Sequence, residues 1–143
     1  MKIPLQSVTQ EAFAPFGRVL EFPTDVKEPF HIVITEEKEP WRLAVFRYQN
    51  KKIETLERHP TSLESFEPLS GATVLLVAEY KTPETPSAFF LDKPICLYRG
   101  IWHQVLSLTS ESQVKIAENL EVPGTEFFKL RHPVGIHLAD IQE

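Results

Sequence analysis

Short apolar runs separated by polar, proline-bearing stretches set the pattern of this chain. GRVLE (17–21), FHIVI (30–34), WRLAVFRY (41–48), ATVLLVAEY (72–80), SAFFLD (87–92), ICLYRG (95–100), HQVLSL (103–108) and QVKIAE (113–118) are rich in β-branched and aromatic residues. That composition reads as strands. Pro23, Pro29, Pro40, Pro68, Pro83, Pro86, Pro94 and Pro123 fall around them. Proline has no N–H to give a sheet, so these positions are expected in loops and at strand ends. One helix start stands out: Thr9 can cap a short helix through 10–14, with Glu11 in the first turn, and Pro15 and Gly17 limit it. The spacing predicts an all-β barrel or sandwich, with the antiparallel barrel favoured. KTPETPS (81–87) reads as an exposed loop. LRHPVGIHLADIQE (130–143) has weak periodicity and is expected to pack on the barrel or meet a partner.

Composition narrows the class. The chain has 143 residues, 42% hydrophobic and 24% charged, which predicts one domain over 1–143 with one core. A net charge of −5 argues against nonspecific nucleic-acid binding but leaves room for a local basic pocket. Cys96 is the one cysteine, so no intrachain disulfide can form, as suits a reducing compartment. The N-terminus lacks the apolar core of a signal peptide, and the longest apolar run, 72–78, is too short for a bilayer. A soluble cytoplasmic protein without membrane or nucleic-acid partners is expected.

Two stretches carry chemistry. In LERHPTSLESFEPLSG (56–71), Glu57 and His59 lie two apart and share a face if they lie on a strand. Glu64 has the opposite parity, but a turn at Pro60-Thr61-Ser62 can return it to His59. One imidazole and two carboxylates then surround one point. Gly71 is expected to open the next strand at a tight hairpin. In YRGIWHQVLSL (98–108), Gly100 permits a sharp turn, and His103 shares a face with Val105 and Ser107. Arg99 at the strand mouth suits a carboxylate.

Glu57-x-His59-x4-Glu64-x6-Gly71 resembles the first cupin motif, with Glu57 in the place of the first histidine. Pro94 followed by Gly100-x2-His103 resembles the second. LERHP (56–60), the F-x-P of Phe66 to Pro68 and the R-x-x-W-H of Arg99 to His103 resemble, more narrowly, the ureidoglycolate lyase family. EAFAPFGRVLE (11–21) and FHI (30–32) are similar to it as well. Gln104 and Val105 stand where that family has a second histidine and a proline, and the segment between Phe30 and Trp41 is short.

The resemblance implies a cupin double-stranded β-helix, a jelly-roll-like barrel with a short N-terminal helix. It implies a lyase that cleaves ureidoglycolate to glyoxylate and urea in allantoin and purine breakdown, and a homodimer. That chemistry needs a base, an acid and a carboxylate holder. His59 and His103 are candidate bases and Glu57 a candidate acid or orienting group. Arg47, Arg58 and Arg99 are candidates for the substrate carboxylate. Alternatively His59, Glu64 and His103 form a facial triad for nickel, manganese, iron or zinc, while a metal-free mechanism stays open. The competing function is a cupin that binds a small hydroxy- or keto-acid anion without turnover. Outside the motifs, His31 is expected to be structural, His132 and His137 surface or packing residues, and Cys96 an inert buried thiol. Trp41, Trp102 and the phenylalanines are expected in the core.

Overall fold

Most of the apolar runs form strands, four further strands (Leu5–Ser7, Lys52–Arg58, Glu64–Ser70 and Glu126–Gly135) form outside them, and strand pairing decides where the site falls. The computed structural model describes residues 2–136, so the expectation for His137 lies outside the described residues. The strands are β1 (Leu5–Ser7), β2 (Gly17–Val19), β3 (Trp41–Tyr48), β4 (Lys52–Arg58), β5 (Glu64–Ser70), β6 (Thr73–Ala78), β7 (Ser87–Phe90), β8 (Ile95–Leu97), β9 (Trp102–Ser107), β10 (Ser112–Asn119) and β11 (Glu126–Gly135). One helix, α1 (Gln10–Phe13), begins where expected, with the Thr9 hydroxyl accepting from the Ala12 amide at 3.1 Å.

The pairing is nested: β6 with β7, β5 with β8, β4 with β9, and β3 with β10, all antiparallel. A long hairpin wound on itself has this signature, and it is the jelly-roll, double-stranded β-helix arrangement. The two sheets run β1-β7-β6-β9-β4-β11 and β2-β8-β5-β10-β3. Their inner faces enclose Phe13, Phe66, Leu75, Phe89, Leu97, Val105 and Val114. A second apolar layer, with Leu56, Leu76, Trp102, Leu106 and Leu130, covers the outer face of the six-stranded sheet. β6 therefore buries both faces and reads as an unbroken apolar run.

Four expectations fail. FHIVI (30–34) forms no strand; Phe30 and Ile32 are exposed there, and the stretch pairs with no strand among the described residues. Gly71 does not close a hairpin, because β5 and β6 belong to different sheets. Its φ of +73° turns the chain from one sheet to the other, and a Cβ would lie 2.3 Å from the Glu111 carbonyl oxygen. Pro68 lies inside β5, and Pro133 inside β11. Each sits beside a register shift, where a missing N–H costs little. Nor are the aromatics confined to the core, since Trp41, Phe22, Phe30 and Phe127 are exposed.

Phe89 is fully buried and meets Phe13 edge-on at 5.1 Å and Phe16 at 5.9 Å. Phe89→Ala is expected to cost about 3–5 kcal/mol in urea unfolding, the range for a buried aromatic truncated to alanine.

Candidate metal centre

The topology makes one end of the barrel special. β4 and β9 are neighbours in one sheet, and β5 and β8 in the other. The chain therefore crosses between sheets twice side by side, at 59–63 and at 98–101. The Gly100 amide donates to the His59 carbonyl at 3.0 Å and ties the two crossings together. Gly100 has φ +79°, and a Cβ on it would meet the Arg58 guanidinium at 2.7 Å. Strand register then sets the side chains. Glu57 faces His103 across β4–β9, and Glu64 faces Leu97 across β5–β8.

Four side chains converge. His103 Nε2 lies 2.8 Å from Glu64 Oε1 and 3.6 Å from Glu57 Oε1. His59 Nε2 lies 3.5 Å from Glu64 Oε1 and 3.8 Å from Glu57 Oε1. Both imidazoles are held from behind. His103 Nδ1 donates to the Ile101 carbonyl at 3.0 Å, and His59 Nδ1 is 2.9 Å from the Thr125 hydroxyl. The narrow cleft over them, lined also by Ser62, Leu97 and Ile101, has Tyr98 and Gly100 at its rim.

Burial differs around the ring. The His103, Glu64 and His59 side chains are 4%, 7% and 11% exposed, whereas Glu57 is 30% exposed. Glu64 Oε1 and His103 Nε2 are fully buried and neither makes a hydrogen bond, despite their 2.8 Å approach. Buried polar atoms are rarely left so. Four donor atoms with separations of 2.8–3.8 Å suit a first-row divalent ion, whose bonds of about 2.1 Å set donor spacings near 3 Å. A His/Glu cluster with these spacings could therefore hold a metal, and His103, Glu64 and His59 are its most buried members.

Without a metal the same atoms hold a proton. For His103, burial opposes the charge most strongly, yet Glu64, Glu57 and the Ile101 carbonyl together push it up to about 10. For Glu64, burial again opposes the charge, but the two histidines hold the carboxyl below its usual range.

The structure also supplies partners that the motifs did not indicate. Glu118 faces Glu64 across β10–β5 and Arg42 across β10–β3. Arg42 Nε and Nη2 both donate to Glu118 Oε2, at 3.0 and 2.5 Å. Burial first, and then the neighbouring charge of Glu64, raise the Glu118 carboxyl. Ligand atoms of His59, Glu64 and Glu118 lie within 4.8 Å of one another, as do those of Glu57, His59 and His103. An acid in line with Val114 and Ile116 on an alternating strand was a readable signal for Glu118. The turn residue Thr125 had none.

The three arginines considered for substrate lie outside the cluster. Arg58 has the opposite parity to Glu57; its guanidinium stacks on Tyr80 at 4.1 Å, donates to the Gly100 carbonyl and pairs with Glu126. Arg47 is exposed, 4.0 Å from Glu111. Arg99 adjoins the rim but pairs with Glu36 at 2.8 Å. Cys96 is buried, and burial pushes its thiol up to about 11, away from nucleophilic use. His132 is exposed on β11 and His31 is half-buried.

A family model described as ureidoglycolate lyase matches residues 30–126. The chain belongs to the ureidoglycolate lyase family. Relatives named ureidoglycolate lyase include one from Rhizobium etli, 31% identical over 88% of this chain and 90% of its own. Another, from Agrobacterium fabrum, is 32% identical over 85% and 86%. Among solved structures, an oxalate decarboxylase matches with TM-score 0.42 and 16% identity over 83% of this chain and 31% of its own. No helix among the described residues is long and apolar enough to cross a membrane.

The His103–Glu64 pair predicts a pH signature for the chelator-treated protein. The folded histidine value, about 10, lies above the ordinary 6.5. Its stabilisation is thus complete below the ordinary value and is lost as pH rises toward the folded one. Unfolding free energy should fall across that window, and His103→Gln should flatten the slope in denaturant titrations.

Proposed function

We propose that this protein cleaves ureidoglycolate to glyoxylate and urea. The observation that carries the reading is the cluster of Glu57, His59, Glu64 and His103, with its two orphaned buried atoms, in a chain of this family. In the reaction the carbinol O–H loses its proton and its electrons form the carbonyl. The C–N bond breaks, and the urea nitrogen takes up a proton. No water is consumed.

The roles follow from exposure and donor direction. His59, Glu64 and His103, the most buried three, would hold a divalent metal. When bound, such an ion lowers the pKa of the substrate hydroxyl and polarises the carbonyl oxygen. Glu57, the most open of the four, takes the carbinol proton and returns it to the leaving nitrogen. Ile101 and Thr125 keep the imidazoles from turning. Arg99 is the arginine assigned to the substrate carboxylate, since it adjoins the rim residue Gly100 and is 44% exposed. The substrate carboxylate would exchange with that of Glu36.

We read the chain as one cytoplasmic domain that pairs with a second copy. Trp41, Leu43 and Val45 alternate on the outer face of β3 and are 64%, 60% and 76% exposed, an apolar stripe that supports self-association.

Incubation with ureidoglycolate should release urea and glyoxylate in equal amounts. A folded protein that takes up metal yet yields neither would overturn the reading in favour of a binding module. Glu57→Gln should lower kcat by about 10²–10⁴, the usual contribution of a general acid–base group. Arg99→Leu should raise KM about 10- to 100-fold, the equivalent of one lost charge-assisted hydrogen bond of about 1.5–3 kcal/mol.

A further inference from the structure

We infer that Thr125 is a positioning residue that fixes the proton of His59 on Nδ1 and leaves Nε2 directed at the cluster. The inference rests on the proposed metal reading of that cluster. The two histidines are held in different ways. His103 Nδ1 meets a main-chain carbonyl, which can only accept, so its proton position is set by the backbone. His59 Nδ1 meets a hydroxyl, which can donate or accept.

The ambiguity is removed one bond further out. The Thr125 hydroxyl has a single proton, and that proton goes to the Val122 carbonyl at 3.0 Å. The hydroxyl oxygen is then left to accept, and the partner 2.9 Å away must be an N–H on His59. His59 Nδ1 is therefore protonated whether the ring is neutral or charged. In the neutral ring the lone pair belongs to Nε2, the atom that faces Glu57 and Glu64. Metal-ligating histidines almost always give their other ring N–H to such an acceptor, which fixes the tautomer and the ring's orientation.

The hydroxyl is itself well placed. Thr125 ends the turn after β10, following Gly124 at φ +73°. Glu126, the first residue of β11, faces Arg58 across β11–β4, and the Arg58 guanidinium grips its carboxylate through Nε and Nη2, both at 3.2 Å. Arg58 immediately precedes His59. The brace that fixes the turn is thus one residue from the imidazole that the turn orients. Arg58, outside the cluster, takes part in the site through this brace.

The test pairs a direct and an indirect measurement. Long-range proton–nitrogen NMR on metal-free protein, with the His59 signals assigned by their loss in His59→Gln, should show a protonated Nδ1. In Thr125→Val, which keeps the shape and removes the acceptor, Nδ1 should lose that proton in the neutral ring. Mn(II) affinity, read from the free-ion paramagnetic resonance signal, should fall about 10- to 100-fold in Thr125→Val, and Thr125→Ser should recover most of it. A bare Nδ1 in the native protein overturns the inference, as does a folded Thr125→Val that keeps both the Nδ1 proton and native Mn(II) affinity. If the native protein binds no Mn(II), the metal reading fails, and the nitrogen spectra alone decide the role of Thr125.

Discussion

The site depends on one contact, the 2.8 Å approach of His103 Nε2 to Glu64 Oε1, two buried atoms from opposite sheets. Burying a charge is costly unless something of opposite sign meets it, and here the histidine proton or a metal must fill that role. The contact exists only because two registers agree: Glu57 opposite His103 in one sheet, and Glu64 opposite Leu97 in the other. A one-residue slip in either would turn a ligand out of the barrel. Phe66, Leu97 and Val105, core residues beside the cluster, hold that agreement, so packing and chemistry impose the same constraint.

Charge around the contact is graded. Arg42, Glu118 and Glu64 form a row across β3, β10 and β5 that runs from a half-exposed guanidinium at the sheet edge to a buried carboxylate. Arg42 compensates Glu118, which leaves Glu64 for the histidines. Glu57 remains the carboxylate with access to solvent. One pocket therefore holds acids in different environments, the condition under which like groups take unlike roles.

Much of this was legible in the sequence. Runs of β-branched and aromatic residues located β3, β6, β9 and β10. The E-x-H, Glu64 and W-H spacings pointed to the cluster through their resemblance to the two cupin motifs; spacing alone also fitted a polar turn between strands. What could not be read has a common physical origin. FHIVI has strand composition, but it pairs with no strand among the described residues, and Phe30 and Ile32 face solvent. Both faces of β3 are apolar in sequence, so parity alone could not show that Arg42 belongs to the row across the sheet and Arg47 does not. Pro133 obscured β11 because it falls at a register shift. Thr125 reaches His59 across 66 residues, a contact that only the folded turn creates.

The central claim is that the buried donors exist to hold an ion. Elemental mass spectrometry on the purified protein tests it most directly. About one transition metal per chain in the native protein, absent from a folded Glu64→Ala variant, is the predicted result. A native protein free of metal that turns over ureidoglycolate in the presence of a strong chelator would contradict it.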